Sequence, residues 1–474
     1  MAKNRGRDLI VNTIVIAIGK FSTQIVSFLL LPLYTTILTT SEYGIYDLVI
    51  TISTFLLPVI TLLMEESMFR FLIDCKTDVE KKIIISQSFL YIIKSSTIFA
   101  IIGIIVGFAF KIPYLLIGLI YIFTCVISGL RNSLVRGLGK IKFYTLVNFI
   151  SSLINILCNI LFIAVFKYGV YGLLISGIIS NLMSTLIVLF KINLFKYISF
   201  KAYDRKLTNE MIKYSLPLVP NSLSWTIVNL SDRLVISSFM GTSYNGIYSM
   251  SYKFPNLMNT MYGFFYTAWK ESSARAINDD DKEIFFNKIY SILTKAMFSI
   301  SLGIIAILPL LFSFFIKKSF AESYVYIPIL VLSMYYNNMS GYFGGIFSGY
   351  KDTKIMGITT VWGAIINLVV NLALIKFIGI YAAAISTLVS CMIIYYYRRI
   401  KIKKYLNIEN VNLLLGIIIL TISLASYYIN DNILLKIIIL LITLLYCFYE
   451  NKEMINLIFD KFLKKYSRDI KNKM

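Results

Sequence analysis

Charged side chains inside apolar segments are the residues of this chain best suited to chemistry. Because a charge in a bilayer costs about 2.5–3.5 kcal/mol on insertion scales, such residues usually face a cavity or a partner. Five cations and one anion occupy such positions: Lys20, Lys94, Arg233, Lys253, Lys295 and Asp232. Lysine ammonium groups and an arginine fork bind phosphate groups. The excess of four positive charges therefore predicts a site for a phosphate or diphosphate, whereas a site for cationic drugs needs carboxylates at mid-depth.

Most enzymatic chemistry lacks its residues here. The chain has no histidine, which excludes a histidine-based triad, metal site or proton relay. The five cysteines are scattered without a CxxC pair and indicate packing. The acidic run Asp279–Asp281 is the only candidate for a metal-binding motif, and we interpret it as a solvated turn. We expect no cofactor, no metal and no catalytic residue.

The composition is that of a membrane protein. Of 474 residues, 58% are apolar and 15% are charged, against about 25% charged in soluble proteins. A membrane helix needs about 20 mainly apolar residues. The sequence predicts an all-α protein with fourteen spans, at about 10–38, 45–64, 83–108, 114–130, 143–166, 172–190, 214–239, 246–268, 289–315, 325–349, 355–375, 380–397, 411–429 and 433–449.

The loops test this count through the excess of Lys and Arg in cytoplasmic loops. With the amino terminus and every second loop inside, 35 Lys and Arg fall on the cytoplasmic side and 5 on the other. We therefore expect both termini in the cytoplasm of a bacterial inner membrane. This distribution accounts for much of the net charge of +22 without binding of nucleic acid. We interpret as a topology signal the basic run Arg398, Arg399, Lys401, Lys403 and Lys404.

Short matches in the same order and at nearly one offset indicate an internal repeat. Residues 43–46 and 245–248 share Gly-Ile-Tyr at an offset of 202, and Asn155 and Asn159 match Asn367 and Asn371 at 212. Spans 1–6 and 7–12 are thus predicted to be parallel halves, a transporter architecture with its substrate site between the repeats. The predicted domains are 1–200, 201–400 and 401–474, the last with two extra helices and a basic tail.

Helical periodicity places polar side chains on one face of each of spans 1, 2, 7 and 8. These faces are Thr13, Lys20, Gln24 and Ser27; Asp47, Thr51, Thr54, Thr61 and Glu65; Asn221, Trp225, Asn229 and Asp232; and Ser249, Lys253, Asn256, Thr260 and Thr267. We predict that they line one water-filled cationic cavity, with Lys94 and Lys295 as further candidates. Alternatively, Lys94 and Lys295 reach the interface or pair with an edge carboxylate, and Asp232 and Arg233 form a structural ion pair.

Prolines fall in the same four predicted helices. Because proline removes a helical hydrogen bond and permits a kink, these helices are predicted to bend during transport. The predicted hinges are Pro32, Pro58, Pro217, Pro220 and Pro255. The alternative is a set of fixed kinks that only shape the bundle.

Two stretches give the chain a family resemblance. Tyr214, Pro217, Asp232, Arg233 and Gly246–Ser249 resemble the seventh-to-eighth-helix signature of the polysaccharide biosynthesis flippases, which move O-antigen and capsule repeat units. Pro32–Tyr34, Glu42–Gly44 and Ser67–Arg70 are similar to the opening of the same family. These flippases belong to the multidrug, oligosaccharidyl-lipid and polysaccharide exporter (MOP) superfamily.

The resemblance implies a lipid-linked oligosaccharide flippase. It implies that an undecaprenyl-diphosphate-linked oligosaccharide crosses from the inner to the outer leaflet, with a polymerase and glycosyltransferases as partners. The positions matching the family's charged residues are Lys20, Arg70, Asp232, Arg233 and Lys253, although Arg70 lies beyond the second predicted span. Two alternatives stay open: a multidrug or metabolite antiporter of the same superfamily, and a membrane glycosyltransferase or polymerase.

Overall fold

The structure, a computed structural model, describes residues 28–193, 197, 204–429, 432–453 and 455–456. It divides into two compact units, Met1–Ser249 and Met250–Met474. Every regular element in these ranges is helical, which confirms the predicted all-α class. The unit boundary lies inside one helix, and the predicted domain limits at residues 200 and 400 stay predictions.

The first unit holds ten helices within its described ranges. They are α1 (Leu31–Ile37), α2 (Thr40–Thr61), α3 (Met64–Asp74), α4 (Asp78–Ala109), α5 (Leu115–Gly137), α6 (Ile141–Asn159), α7 (Gly169–Ile192), α8 (Arg205–Ser215), α9 (Leu218–Phe239) and α10 (Thr242–Ser251), whose last two residues fall in the second unit. Helix α2 packs on α9, and α7 packs on α5 and α6. A π-helical segment, Ile160–Val165, extends α6.

Local sequence signals set the limits of α2. Thr39 and Glu42 form a capping box, in which the Thr39 side chain accepts from the backbone of Glu42 and the Glu42 carboxylate accepts from the backbone of Thr39. Pro58 lies inside the helix near its carboxyl end. Leu62 and Leu63 then adopt left-handed backbone angles, with φ of 48° and 54°, so α3 starts in a new direction.

The second unit holds the remaining helices of the described chain. They are α11 (Lys253–Ala276), α12 (Lys282–Phe315), α13 (Ile327–Gly349), α14 (Thr353–Ile378), α15 (Tyr381–Ile402), α16 (Leu414–Ile429) and α17 (Ile433–Glu450), with a 3₁₀ segment at Lys318–Tyr326. Helices α13, α14 and α15 pack together, α11 packs on α13, and α17 packs on α12. In this core the Trp269 ring stacks on Tyr342 with centroids 4.6 Å apart.

Within the described ranges, eight helical stretches are long and apolar enough to cross a membrane: α2, α4, α5, α6 with its π-helical extension, α7, α12, α14 and α17. The other predicted spans after the first coincide with helices that are shorter or more polar, namely α9, α10 with α11, α13, α15 and α16. Most of predicted span 1 lies outside the described residues. The polytopic helical fold is thus confirmed.

Candidate functional site

The two copies of the Gly-Ile-Tyr motif contact each other inside the first unit. A Cβ built on Gly44 of α2 would lie 1.8 Å from the Thr242 carbonyl oxygen, and one built on Gly246 of α10 would lie 1.9 Å from that of Thr40. Only glycine permits such an approach of two backbones. We call this pair of residues, Gly44 and Gly246, the glycine contact.

Hydroxyl pairs flank the glycine contact with the same internal symmetry. Ser41 Oγ lies 2.8 Å from Thr242 Oγ1, and Thr40 Oγ1 hydrogen-bonds Ser243 Oγ. Thr40 and Ser41 correspond to Thr242 and Ser243 at the offset of 202 that relates the two motifs. The repeat found in the sequence therefore extends to the start of each helix, and the two copies bind each other.

A largely buried ion pair lies about one helical turn from the glycine contact. Arg233 Nε of α9 donates to Asp47 Oδ2 of α2 at 2.7 Å, and both side chains are at most 15% exposed. Ser249 Oγ donates to Asp47 Oδ1 at 2.6 Å, and Asn245 Nδ2 lies 3.4 Å from Asp47 Oδ2. We call Asp47, Arg233, Asn245 and Ser249 the Asp47 cluster. Since Asp47 is seven residues into α2, the cluster lies about 10 Å from the helix start.

Asp232 has a different partner from Arg233. It is fully buried and accepts a hydrogen bond from the Tyr248 hydroxyl at 2.7 Å. Tyr248 belongs to the second copy of the repeated motif, and Asn245 and Ser249, which contact Asp47, flank that copy. Arg233 binds Asp47, which the sequence analysis placed on the polar face of span 2.

The other predicted site residues are dispersed. Lys20 and Gln24 lie outside the described residues. Lys94 is exposed on α4, Asn229 on α9 and Asn256 on α11. Lys253 is the first residue of α11, in the second unit, and is partly exposed. The single cavity shared by four helices therefore stays a prediction.

Lys295 is engaged elsewhere in the second unit. Its Nζ lies 3.0 Å from Glu450 Oε2 on α17, as the edge-carboxylate alternative anticipated. Asp47 and Glu450 thus add two anions beside the predicted cations Arg233 and Lys295. Helical periodicity cannot pair partners that lie so far apart in the chain.

Arg70, one of the positions that the resemblance implies, lies on the surface of α3. Its guanidinium is 2.6 Å from Asp74, and the two side chains are 46% and 67% exposed. This is an exposed pair one helical turn apart, which contributes little to stability.

The burial of two arginines was not predicted from the sequence. Arg398 was interpreted as a topology signal, but α15 continues through it and leaves it 1% exposed. It donates to Thr359 Oγ1 and to the carbonyl oxygens of Ser340 and Met356. Arg131, counted in a loop, lies inside α5 at 5% exposure. Both sit just beyond a predicted span, so only the polar residues around them could have signalled their burial.

Most predicted hinge prolines start a helix instead of bending one. Pro32 and Pro255 lie in the first turns of α1 and α11, Pro217 caps α9, and Pro220 lies in the first turn of α9. Pro58 lies within α2. Proline at a first turn loses no helical hydrogen bond, so the chain breaks just before these residues. Movement at these breaks stays a prediction.

The described residues contain no group of three or more Cys, Asp or Glu side chains that could hold a metal ion.

The sequence of this chain is similar to those of known proteins. A family model described as polysaccharide biosynthesis protein matches residues 9–270, more than half of the chain. An uncharacterized membrane protein of Methanocaldococcus jannaschii is 24% identical over 317 residues, which cover 62% of this chain and 73% of the relative.

Solved structures share the fold. The lipid II flippase MurJ in an inward closed conformation matches with a TM-score of 0.71 and 17% identity, over 93% of this chain and 100% of that one. An inward-facing multidrug resistance MATE family transporter of the MOP superfamily matches with a TM-score of 0.69 and 14% identity, over 82% and 98%. This chain therefore shares its fold with these two proteins. The family match confirms the resemblance seen in the sequence, and the chain belongs to the polysaccharide biosynthesis protein family.

Proposed function

We propose that this protein is a flippase that moves undecaprenyl-diphosphate-linked oligosaccharide repeat units from the inner to the outer leaflet of the cytoplasmic membrane. Family membership supports a role in polysaccharide biosynthesis, and the fold is shared with transporters. Both termini lie in the cytoplasm in this proposal, as the distribution of Lys and Arg indicates. Glycosyltransferases that build the repeat unit and a polymerase that consumes it are the expected partners.

The Asp47 cluster is the observation that carries this proposal. A guanidinium buried in a membrane protein needs an anion or several neutral oxygen acceptors beside it, and here Asp47 supplies an anion. Asp47 reaches Arg233 from α2, whose start is held against α10 by the glycine contact. Since α2 and α10 both start on the predicted extracytoplasmic side, this contact closes that side between them.

Transport then requires an exchange of anions at Arg233. When α2 and α10 separate, Asp47 withdraws from Arg233, and the diphosphate of the lipid-linked substrate takes its place. A guanidinium is suited to this exchange because it binds carboxylate and phosphate with the same forked geometry. The oligosaccharide leaves through the opened side, and return of Asp47 to Arg233 resets the protein. As predicted from the sequence, we expect Lys20 and Lys253 to add positive charge for the diphosphate.

Proteoliposomes with a fluorescent undecaprenyl-diphosphate oligosaccharide test the proposal. The full chain should move the label between leaflets, and Arg233→Met should lower the rate at least about tenfold, the effect of losing a charge-assisted hydrogen bond. Arg233→Lys should keep part of the rate. Arg275→Met removes an exposed arginine paired with Glu271 and is the matched control.

Flipping by Arg233→Met at the rate of the unaltered protein would overturn the proposal. So would efflux of a cationic dye without movement of the lipid, which is the antiporter alternative. Sugar transfer from a nucleotide donor by the purified protein would favour the glycosyltransferase alternative.

A further inference from the structure

The second unit contains two adjoining pockets that the proposed transport path does not use. Their volumes are about 460 and 620 Å³, and they share Ser291, Lys295 and Glu450 in their walls. Both volumes lie in the range of about 300–1,000 Å³ found for small-molecule sites. The walls come from α12, from α17 and from the segment that joins α15 to α16. The ends of α12 and α17 at the pockets face the predicted cytoplasmic side.

The charges in these pockets are of both signs. Lys295 and Glu450 form the ion pair in the shared wall, 3.0 Å apart and partly exposed. Glu409 lines the first pocket, and Lys452 and Glu453 line the second; all three are exposed. Glu453 is paired with Lys288 at 3.0 Å. Within the described residues neither Glu409 nor Lys452 makes an ion pair. Among the described residues, Glu409 is thus an unpaired anion of the first pocket and Lys452 an unpaired cation of the second. The Lys295–Glu450 pair lies in the wall that the two pockets share.

The backbone around Glu409 is fixed. Its N–H donates to Asn287 Oδ1 at 2.8 Å, and its carbonyl oxygen accepts from Arg399 Nη2 at 3.4 Å. Arg399 Nη2 also donates to Asn410 Oδ1 at 2.6 Å. These bonds hold the segment at the rim, so the Glu409 carboxylate is presented to the pocket by a positioned backbone instead of a free loop.

Apolar side chains surround the polar pockets. Leu414 and Leu415 line the first and Tyr449 lines the second, each more than half exposed. Leu445 and Phe448 of α17 are similarly exposed. Helices α12 and α17 are apolar enough to cross a membrane, so these side chains face acyl chains. A ligand at this position has a polar group in the pocket and an apolar part along α17.

We propose that these pockets bind the headgroup of a phospholipid carrying a primary ammonium and a phosphate, that is, phosphatidylethanolamine. The ammonium faces Glu409, and the phosphate faces Lys295 and Lys452. The unpaired Glu409 and Lys452 then each have an opposite charge, which a purely anionic headgroup could not provide in pockets lined by three carboxylates, Glu409, Glu450 and Glu453. A choline headgroup has the same charges but no N–H donor for Glu409. This site gives the two helices outside the repeat, α16 and α17, a binding role.

Native mass spectrometry of the full chain, delipidated in detergent and then supplied with one lipid at a time, tests this site. The probes are phosphatidylethanolamine, phosphatidylcholine and phosphatidylglycerol of the same acyl composition. We expect one tightly retained phosphatidylethanolamine and weaker retention of the other two. Glu409→Gln should reduce retention of phosphatidylethanolamine about tenfold, since it removes a charge-assisted bond.

The controls separate this site from general lipid binding. Glu210→Gln changes an exposed carboxylate of α8 in the first unit and should leave retention unchanged. Lys452→Gln should weaken phosphatidylethanolamine and phosphatidylglycerol alike, because both have a phosphate. Equal retention of the three lipids, or unchanged retention in Glu409→Gln, overturns the proposal. The readout is independent of flipping, so it stands or falls apart from the proposed function.

Discussion

Arg233 and Arg398 are both buried in the membrane domain, yet their charges are compensated in opposite ways. Arg233 binds a carboxylate, Asp47, that comes from a helix almost two hundred residues earlier in the chain. Among the residues that the structure describes, Arg398 donates to hydroxyl and carbonyl oxygens alone, those of Thr359, Ser340, Met356 and Thr360. A carboxylate can be exchanged for another anion, whereas neutral oxygens fix a guanidinium in place. The comparison separates a cation suited to transport from a cation that holds helices together.

Arg131 shows that the second kind occurs in both units. It binds Ser184 of α7 and Asn148 of α6 from its place on α5. Arg398 likewise joins its own helix, α15, to α13 and α14. Each arginine therefore ties three helices within one unit.

Removing Arg233 should have the largest effect on stability. Arg233→Met leaves Asp47 as an uncompensated buried charge, which costs about 3–5 kcal/mol. The double variant Asp47→Asn with Arg233→Met should recover most of this loss, because both charges are gone. Unfolding of the purified variants in mixed detergent micelles measures both. Equal stability of the single and double variants would show that the ion pair is not what compensates Arg233.

The glycine contact brings Asp47 to Arg233, so a methyl group there should disrupt the pair. Gly44→Ala places a Cβ against the Thr242 carbonyl, and overpacking of this kind costs about 1–3 kcal/mol. Gly129→Ala is the matched control in the same unit, since a Cβ there meets nothing within 4 Å. The same unfolding assay compares them. A harmless Gly44→Ala would contradict the close approach of α2 and α10.

Arg398 should be easier to replace than Arg233. Arg398→Met loses hydrogen bonds but also relieves a buried charge with no carboxylate beside it, so we expect a cost of about 1–2 kcal/mol. Lys403→Met, at an exposed position just past the same helix, serves as control. The Arg398→Met protein that stays folded should move the lipid-linked substrate at the rate of the unaltered protein. A specific loss of flipping in Arg398→Met would remove the distinction between the two arginines.

Glu65 is a partly buried acid, and its charge, unlike those of the two arginines, can be removed by protonation. It lies in the first turn of α3, beyond the apolar span that ends at Thr61, and its Oε2 has no hydrogen-bond partner within the described chain. Burial raises its pKa above 4.5, and the neighbouring Glu66 adds to the increase, while a hydrogen bond from Thr61 opposes it. The protonated form is therefore favoured in the folded state.

The stability of the folded protein should depend on pH, because folding raises the pKa of Glu65. Glu65 supports folding at low pH and loses this contribution as the pH rises from its unfolded value through the raised pKa. Glu65→Gln is neutral throughout, so its stability advantage should grow between pH 4 and pH 7. This is the smallest of the expected effects. An advantage that does not vary with pH would mean that folding leaves the pKa of Glu65 unchanged, and one that shrinks as the pH rises would mean that Glu65 is ionised and paired in the folded protein.

The sequence predicted the helical elements well, because long apolar blocks bounded by charge leave little freedom. It also found the Gly-Ile-Tyr repeat, but not that the two copies bind each other. Partners far apart in the chain were missed: Asp47 for Arg233 and Glu450 for Lys295. Arg398 was misplaced because a helix that continues past the apolar block carries no signal in hydropathy. Periodicity gives the face of a helix but not the neighbour that the face meets.

Reversible cross-linking of the glycine contact tests most directly that α2 and α10 must separate for transport. Ser41 and Thr242 have hydroxyl oxygens 2.8 Å apart, so Ser41→Cys with Thr242→Cys should form a disulfide on oxidation. We predict that the oxidised double variant stops moving undecaprenyl-diphosphate oligosaccharide between leaflets and that reduction restores the rate. Fully cross-linked protein that still flips at its reduced rate would contradict the account.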